Sequence, residues 1–279
     1  MTIQMLIEEA IAEDSSLGDF TSEAIIPAGD RGVAELLSKG EGIVAGLEIA
    51  GLVFRTCDDS AGFRPMVNDG ARAARMQRLA IVEAPVRAIL RGERVALNFL
   101  QRMSGIATIT GRYVDAVRGT QARITDTRKT APGLRLLDKM AVKAGGGVNH
   151  RFGLDDMVLI KDNHIVAAGG IRPAVEACLR ALSSANRSMA VEVETRNLDE
   201  VREALLCVGV QRIMLDNFPL ELMREAVRLI NHRVEVEASG GITLNSVRSV
   251  AETGVDCISV GALTHSVEAL DISLELLVV

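Results

Sequence analysis

The sequence predicts an α/β protein in which an N-terminal α+β domain precedes a closed α/β barrel. From about residue 120, short apolar strand segments alternate with helical segments, which is typical of βαβ units and a parallel sheet. Four residues at predicted strand ends, Glu194, Asp216, Ser239 and Gly261, follow one another at intervals of 22, 23 and 22 residues. This rhythm favours a barrel with its site at the carboxyl ends of the strands. An open doubly wound sheet is the alternative, because an α/β barrel usually has more than six units.

The first half of the chain has no such repeat. It begins with an amphipathic helix, and the further predicted elements are strands at Arg31–Leu37 and Arg78–Glu83 and a helix at Gly46–Phe54. A helical pattern at Arg91–Arg118, interrupted around Ser104–Gly105, links the halves. We therefore place the N-terminal domain at residues 1–110 and the barrel at 111–267, with the C-terminal tail 268–279 packing back on the first domain.

The barrel elements follow from β-rich runs and from helical periodicity. The predicted strands are Arg123–Asp126, Met157–Ile160, Ala190–Glu194, Arg212–Leu215, Val234–Ala238 and Cys257–Val260. The helical patterns between the later strands are Leu198–Leu206, Pro219–Ile230 and Leu244–Glu252.

Composition excludes several classes of function. The net charge is -6, with one Tyr and no Trp, so the chain lacks the basic face and stacking aromatics of a nucleic-acid binder. No stretch approaches the roughly 20 apolar residues of a membrane helix, and Met1–Glu9 lacks the features of a signal peptide. We expect a cytoplasmic protein with no membrane partner. Four scattered cysteines without a C-x-x-C pair favour reduced, buried thiols over disulfides or zinc.

A basic, glycine-rich region interrupts this acidic chain. From Arg123 to His164, eight Lys and Arg stand against five Asp, which predicts a small, strongly anionic ligand. Arg128 and Arg151 suit bidentate binding of carboxylates, whereas Lys129 and Lys161 are point charges suited to phosphate or a second carboxylate. His150 is either a neutral hydrogen-bond donor or a packed turn residue. The alternative for the whole region is a solvated strand end followed by a flexible glycine turn.

Two carboxylates and two glycine turns complete the candidate site. Glu194 and Asp216 end neighbouring predicted strands and are hard oxygen ligands suited to Mg²⁺; a structural ion network is the alternative. Glu192 points the same way as Glu194 but lies deeper in the barrel. Ser239-Gly240-Gly241 and Val260-Gly261-Ala262 follow the last two strands, where barrels often bind phosphate, although tight turns there need glycine anyway. Together these residues indicate transfer of a phosphorylated sugar beside a pocket for a dianion.

Ordered motifs along nearly the whole chain resemble those of the quinolinate phosphoribosyltransferase family, also called nicotinate-nucleotide pyrophosphorylase (carboxylating). The matching stretches are Leu17–Thr21, Glu93–Leu100, Ser104–Thr108, Asp126–Leu134, Gly145–Gly153, Leu159–His164, Leu215–Asn217, Ala238–Thr243, Val260–Val267 and Leu270–Ile272. The resemblance implies an α+β sandwich-like domain and an irregular barrel of six to seven strands. It also implies a Mg²⁺-dependent transferase that makes nicotinate mononucleotide, pyrophosphate and CO₂ from quinolinate and phosphoribosyl pyrophosphate, in NAD biosynthesis.

The resemblance also implies a role for each candidate residue. The substrate carboxylates are expected at Thr127, Arg128, His150, Arg151 and Lys161. Phosphoribosyl pyrophosphate is expected at Lys129, Glu194, Asp216, Ser239, Gly240, Gly241 and Gly261, with Glu194 and Asp216 holding Mg²⁺ and, together with Lys129, acting in catalysis. Arg94 is expected to enter the site of a partner subunit, which implies a homodimer or a higher oligomer.

Two rival functions remain open at this point. A paralogous phosphoribosyltransferase encoded with molybdate transport also resembles the family, and altered clamp residues would mark it. A non-catalytic ligand sensor on the same fold would need no metal carboxylates. Arg128, His150, Arg151, Lys161, Glu194 and Asp216 are all present, which favours the quinolinate enzyme.

Overall fold

Residues 2–277 are described from a computed structural model of the protein. Its helices are α1 (Ile3–Ser15), α2 (Phe20–Ile25), α3 (Leu47–Cys57), α4 (Val86–Ala116), α5 (Arg135–Ala144), α6 (Asp162–Ala168), α7 (Ile171–Ser184), α8 (Leu198–Leu205), α9 (Leu220–Ile230), α10 (Val247–Ala251) and α11 (Ala262–His265). Its strands are β1 (Arg31–Ser38), β2 (Gly42–Ile43), β3 (Gly62–Pro65), β4 (Arg72–Ala73), β5 (Arg78–Pro85), β6 (Arg123–Thr125), β7 (Val158–Ile160), β8 (Val191–Thr195), β9 (Arg212–Asp216), β10 (Glu235–Ser239), β11 (Cys257–Ser259) and β12 (Ile272–Leu277).

The described residues divide into two compact units that do not follow a single cut in the sequence. The first unit contains residues 2–111, 130–146 and 263–277. The second contains residues 112–129 and 147–262. The segment around α5 and the C-terminal strand β12 thus belong with the N-terminal part of the chain.

The first unit is built on a four-stranded antiparallel sheet with the order β12-β1-β5-β3. Strands β1 and β5 and helix α3 confirm the elements predicted there. Helix α3 begins at Leu47 and buries one face, including Val53 and Phe54. The ring of Phe54 stacks on Phe63 of β3 with centroids 6.1 Å apart, so this helix covers the sheet through an aromatic contact.

The long helix α4 runs without a break, and the interruption predicted around Ser104–Gly105 was therefore wrong. The Ser104 hydroxyl accepts a hydrogen bond from the Ala45 N–H at 3.0 Å. A Cβ at position 105 would lie 2.3 Å from the carbonyl oxygen of Glu268. The two small residues allow neighbouring backbone to approach the helix closely, which explains their presence in its interior.

The second unit is a six-stranded parallel sheet with the order β6-β11-β10-β9-β8-β7. All six predicted strands are present, within one or two residues at their ends. Successive strands from β7 to β11 are neighbours and β11 then pairs with β6, whereas the order of a doubly wound sheet would reverse. The consecutive order is that of a barrel and contradicts the alternative of a doubly wound sheet. Among the described residues no ladder joins β6 to β7; a single parallel bridge from Thr125 to Val148 lies on that side.

The helices of the second unit are amphipathic and cover the outside of the sheet. Helix α9, for example, buries Met223, Ala226 and Ile230 on one face. Helix α10 is shorter than the predicted Leu244–Glu252, because a turn closed by the Ser246 N–H on the Thr243 carbonyl precedes it. The outer faces of the strands are thereby buried, and their other faces carry the polar residues of the site.

Candidate active site

Lysine and carboxylate side chains meet at the carboxyl ends of β7, β8 and β9. Lys161 directly follows β7, Glu194 lies near the end of β8 and Asp216 ends β9. These strands are hydrogen-bonded neighbours, so the three residues share one edge of the sheet. Nζ of Lys161 lies 3.3 Å from Oε2 of Glu194. The structure therefore brings together two of the residues predicted to bind different substrates.

Asn217 connects the end of β9 to the glycine turn after β10. Its side-chain amide donates to Oδ2 of Asp216 at 2.9 Å, and its backbone N–H donates to the carbonyl oxygen of Ser239 at 2.9 Å. Asn217 has a φ of 57°, a left-handed conformation that Asn tolerates better than most residues. A Cβ on Gly240 would lie 2.2 Å from Oδ1 of Asn217, so only glycine fits there. One residue, Asn217, thus contacts both the candidate phosphate turn and the candidate metal ligand Asp216.

Two arginines of the candidate site, Arg128 and Arg151, belong to the second unit. Burial, followed by the positive charge of Arg128, lowers the pKa of Arg151. Nη1 of Arg151 also donates to the carbonyl oxygen of Met157 at 3.2 Å. Two neighbouring arginines repel each other until an anion lies between them, so the pair is suited to a dicarboxylate.

The loop after β6 carries Thr127, Arg128 and Lys129. Its turn is fixed by the backbone N–H of Lys129, which donates to Oγ1 of Thr127 at 3.0 Å. The carboxylate of Asp126 is fully buried, and its Oδ1 accepts the backbone N–H of His150 at 2.9 Å. Asp126 therefore connects the loop that carries Arg128 and Lys129 to the segment that carries His150 and Arg151.

A buried cluster of charged and polar side chains lies beneath these residues. We call it the His150 network; it consists of His150, Glu192, Arg212 and Glu237. Nε2 of His150 lies 3.1 Å from Oε2 of Glu192 and 3.3 Å from Oε2 of Glu237, and both glutamates have no exposed surface. Nη1 of Arg212 lies 3.0 Å from Oε2 of Glu237. Burial, followed by the charge of Glu237, raises the pKa of Glu192.

The partners Glu237 and Arg212 are functional candidates that the sequence reasoning missed. A signal was present, because Glu237 precedes the turn residue Ser239 by two positions, as Glu192 precedes Glu194. Residues two apart on a strand share a face. Arg212 of β9 pairs with Glu192 of β8 on one side and with Glu235 of β10 on the other. This register cannot be read from the sequence alone.

The carboxylates at the strand ends fit a divalent cation. Glu194 already attracts the ammonium of Lys161, and both Glu194 and Asp216 offer hard oxygen atoms at one edge of the sheet. Such a set suits Mg²⁺ that keeps some of its water and bridges to phosphate. His150, Glu192 and Glu237 also offer ligand atoms within 4.8 Å of one another. Arg212 supplies the positive charge there, so this buried set is less suited to a metal ion.

Arg94 precedes the other candidate residues in the sequence and belongs to a different compact unit. It belongs to the first unit, where it is exposed on α4, and the other predicted site residues belong to the second unit. It lines a surface cavity of about 350 Å³ together with Glu9 and Glu13 of α1. Gly261, the last predicted residue, follows β11 directly before α11.

The cysteines and the helices bear on two further predictions. All four cysteines, which lie in the described part of the chain, are free thiols. Only Cys257 is fully buried, so the prediction of buried thiols was wrong for Cys57, Cys178 and Cys207, which are half-buried. Burial raises the pKa of Cys257 to about 12. Within residues 2–277 no helix has the length and apolar character needed to cross a membrane.

The barrel, the cationic loops and the strand-end carboxylates define an α/β-barrel phosphoribosyltransferase. Residues 19–104 match the N-terminal domain of quinolinate phosphoribosyl transferase, and residues 106–275 match its C-terminal domain. The chain therefore belongs to the quinolinate phosphoribosyl transferase family, as its motifs indicated.

Individual relatives agree with this assignment. The chain is 48% identical to a chloroplastic nicotinate-nucleotide pyrophosphorylase (carboxylating) of Arabidopsis thaliana, over 98% of this chain and 82% of that protein. It is 45% identical to the nicotinate-nucleotide pyrophosphorylase (carboxylating) of Mycobacterium leprae, over 97% and 95%. The solved nicotinate-nucleotide pyrophosphorylase of Francisella tularensis superposes with a TM-score of 0.93 at 38% identity, over 99% of this chain and 96% of that one.

Proposed function

We propose that this chain transfers the phosphoribosyl group of phosphoribosyl pyrophosphate to quinolinate and releases CO₂, giving nicotinate mononucleotide and pyrophosphate. Relatives in Nicotiana tabacum carry the name quinolinate phosphoribosyltransferase (decarboxylating). The observation that carries the proposal is the Lys161–Glu194 ion pair at the strand ends, on the same unit as Arg128 and Arg151. This combination suits a dicarboxylate that reacts with a metal-bound phosphorylated sugar.

Quinolinate would bind through its two adjacent carboxylates. Arg128 and Arg151 would each form a bidentate ion pair with a carboxylate, which also relieves their mutual repulsion. Lys161 would supply a further positive charge, and Arg94 of the partner subunit would complete the pocket. The ring nitrogen, which must attack the sugar, would then be held in one orientation.

Phosphoribosyl pyrophosphate would bind along the strand ends. The backbone N–H groups of Ser239–Gly241 and Gly261 would receive the 5′-phosphate, and Lys129 would face the pyrophosphate. Glu194 and Asp216 would hold Mg²⁺, which when bound would neutralise the charge that develops on the pyrophosphate. The same two carboxylates carry negative charge that favours a cationic sugar.

The reaction would form a bond from the quinolinate nitrogen to the anomeric carbon and break the bond from that carbon to the pyrophosphate oxygen. The ring nitrogen becomes cationic in this step. The neighbouring carbon–carbon bond to the carboxylate would then break, since the electron pair left on the ring carbon is stabilised by the adjacent positive charge. A proton takes the place of CO₂ on that carbon.

Assembly and location are part of the proposal. Arg94 is exposed on α4 and makes no ion pair among the residues that the structure describes, which is consistent with a partner beyond the chain. We infer a homodimer in which each Arg94 serves the other site. We also infer a cytoplasmic location, in line with the free thiols; since the Arabidopsis relative is named chloroplastic, fractionation of the native cells tests this point.

The direct test uses the purified chain and quinolinate that carries a radioactive label in its 2-carboxylate. We expect release of labelled CO₂ that requires both phosphoribosyl pyrophosphate and Mg²⁺, with nicotinate mononucleotide formed in equal amount. The double variant Arg128→Ala, Arg151→Ala is the control. Absence of release, in a preparation that binds both substrates, would refute the proposed activity.

A further inference from the structure

We propose that Arg102 is a positioning residue that holds the two loops carrying the candidate phosphate ligands Lys129 and Gly261. This role rests on the proposed function, in which Lys129 faces the pyrophosphate and Gly261 receives the 5′-phosphate of phosphoribosyl pyrophosphate. Arg102 would touch neither substrate and would act through the backbone that follows each of these two ligands. All the contacts that Arg102 makes for this purpose lie within the first unit.

Arg102 lies on the long helix α4, and its guanidinium binds a buried carboxylate on α5. Nε of Arg102 donates to Oδ1 of Asp138 and Nη2 donates to Oδ2, both at 2.9 Å. The carboxylate has no exposed surface, and the arginine side chain is 27% exposed. Two parallel hydrogen bonds fix the direction of both side chains, which a single point contact would leave free to turn.

Two further hydrogen bonds extend from this pair to the backbone of two other segments. Oδ2 of Asp138 accepts the N–H of Ala131 at 3.2 Å, and Nη2 of Arg102 donates to the carbonyl oxygen of Thr264 at 3.3 Å. Ala131 lies in the loop after β6, and Thr264 lies in α11, directly after the loop that follows β11. One ion pair therefore fixes the backbone beyond both strands.

Both fixed segments come directly after candidate site residues. The chain returns from the second unit to the first after Lys129 and again after Ala262. Ala131 is the second residue beyond Lys129, and Thr264 is the third beyond Gly261. Strands β6 and β11 are neighbours in the sheet, so the two loops begin at the same edge. Since so few bonds separate each fixed point from its ligand, a released segment should let that ligand sample more positions.

The binding of quinolinate should depend less on this ion pair. Arg151 and Lys161 lie in the segment 147–262, far along the chain from Ala131. Arg128 is one residue further from Ala131 than Lys129 is. A positioning role therefore predicts a defect that is centred on phosphoribosyl pyrophosphate.

A loss of positioning has to be separated from a loss of stability, because a buried carboxylate without its cation is destabilising. The double variant Arg102→Met, Asp138→Leu replaces the pair by apolar side chains, a change that is often neutral or stabilising. It also removes the acceptor of the Ala131 N–H and the donor to the Thr264 carbonyl oxygen. Arg118→Ala, which breaks an ion pair on the surface, is the matched control.

We expect the double variant to unfold close to the original temperature and to raise the KM for phosphoribosyl pyrophosphate roughly 5- to 30-fold, the effect of one or two lost orienting hydrogen bonds. The KM for quinolinate should stay within about 2-fold of the original value. Both constants are measured well below the unfolding temperature. If the pair only stabilises the first unit, neither KM should change in the double variant. That result would overturn the proposal, as would equal increases for both substrates.

Hydrogen exchange of the ligand-free protein tests the same role without any assay of activity. Peptides that cover residues 127–134 and 262–268 should exchange roughly 5-fold faster in the double variant than in the original chain, whereas strands β8 to β10 should be unaffected. Unchanged exchange in either of the two segments would refute the positioning role. Since no substrate is present, a failed assay of CO₂ release and a failed positioning role give different results.

Discussion

Lys161 and Glu194 form an ion pair with Nζ and Oε2 3.3 Å apart at the ends of two neighbouring strands. The lysine is a candidate ligand of quinolinate, and the glutamate is a candidate ligand of Mg²⁺. The pair contributes little to stability, because the lysine side chain remains about half exposed. Binding of either substrate must therefore change the surroundings of the other substrate's ligand.

The carboxylates are tested by the isosteric changes Glu194→Gln and Asp216→Asn. Each keeps the size of the side chain and removes an anionic oxygen ligand. We expect Mg²⁺-dependent binding of phosphoribosyl pyrophosphate to weaken at least about 10-fold, as is typical when a metal site is damaged. Calorimetry with quinolinate alone is the control and should show retained affinity. Normal Mg²⁺ dependence in both variants would contradict a metal-binding role.

The sequence was sufficient for the barrel and for its edge of polar residues. Between Glu194 and Gly261 the spacing of successive strand ends is nearly constant, because each βαβ unit must return to the same edge of a parallel sheet. The His150 network was not predictable in the same way. Its contacts join Glu192 and Glu237 across the intervening strand β9, and no local pattern specifies that geometry.

The error in α4 has a similar origin. Serine followed by glycine weakens a helix locally, and this preference predicted a break at Ser104–Gly105. The contact that overrides it comes from the backbone of Glu268, far along the chain. Local propensity describes the cost of glycine in the helix, whereas only tertiary packing shows what glycine permits there.

The dicarboxylate clamp is tested by replacing Arg128 or Arg151 with alanine. Each change removes one partner of a desolvated ion pair, at a cost of about 2–5 kcal/mol in quinolinate binding. The catalytic efficiency should fall by roughly 30-fold to several thousand-fold, since each 1.4 kcal/mol corresponds to about a factor of ten. Calorimetric titration with quinolinate measures the effect, and circular dichroism confirms the fold. Unchanged affinity in both variants would remove these residues from the site.

The buried pair of Arg102 and Asp138 should matter for stability. The Asp138 carboxylate has no exposed surface, and Nε and Nη2 of Arg102 each donate to it at 2.9 Å. It also accepts the backbone N–H of Ala131, two residues after Lys129. Arg102→Met should leave this charge buried without its cation and cost about 3–5 kcal/mol of unfolding free energy.

Thermal unfolding of Arg102→Met is compared with that of Arg118→Ala. Arg118 pairs with Asp115 on the surface, where such a pair contributes roughly 0.2–1 kcal/mol. The buried variant should unfold at a clearly lower temperature than the surface variant. Equal unfolding temperatures would show that Asp138 finds another partner and that the pair does not stabilise the first unit.

Arg94 provides the test of assembly. It lies on α4 in the first unit, whereas the other candidate site residues belong to the second unit. If it serves its own subunit only as a surface side chain, Arg94→Ala should change stability by no more than a few tenths of a kcal/mol. If it enters the partner's site, the Arg94→Ala homodimer should have almost no turnover. The Lys161→Ala homodimer should also be nearly inactive, because it lacks a different residue of the same site.

Mixing the two inactive variants distinguishes these possibilities. In a mixed dimer with Arg94 acting in trans, one site collects both defects and the other collects none. Up to half of the original activity per mixed dimer should therefore return after subunit exchange. Exchange is verified separately by native mass spectrometry of a tagged and an untagged subunit. If exchange is complete and no activity returns, Arg94 acts within its own subunit or not at all, and the site is complete in a single chain.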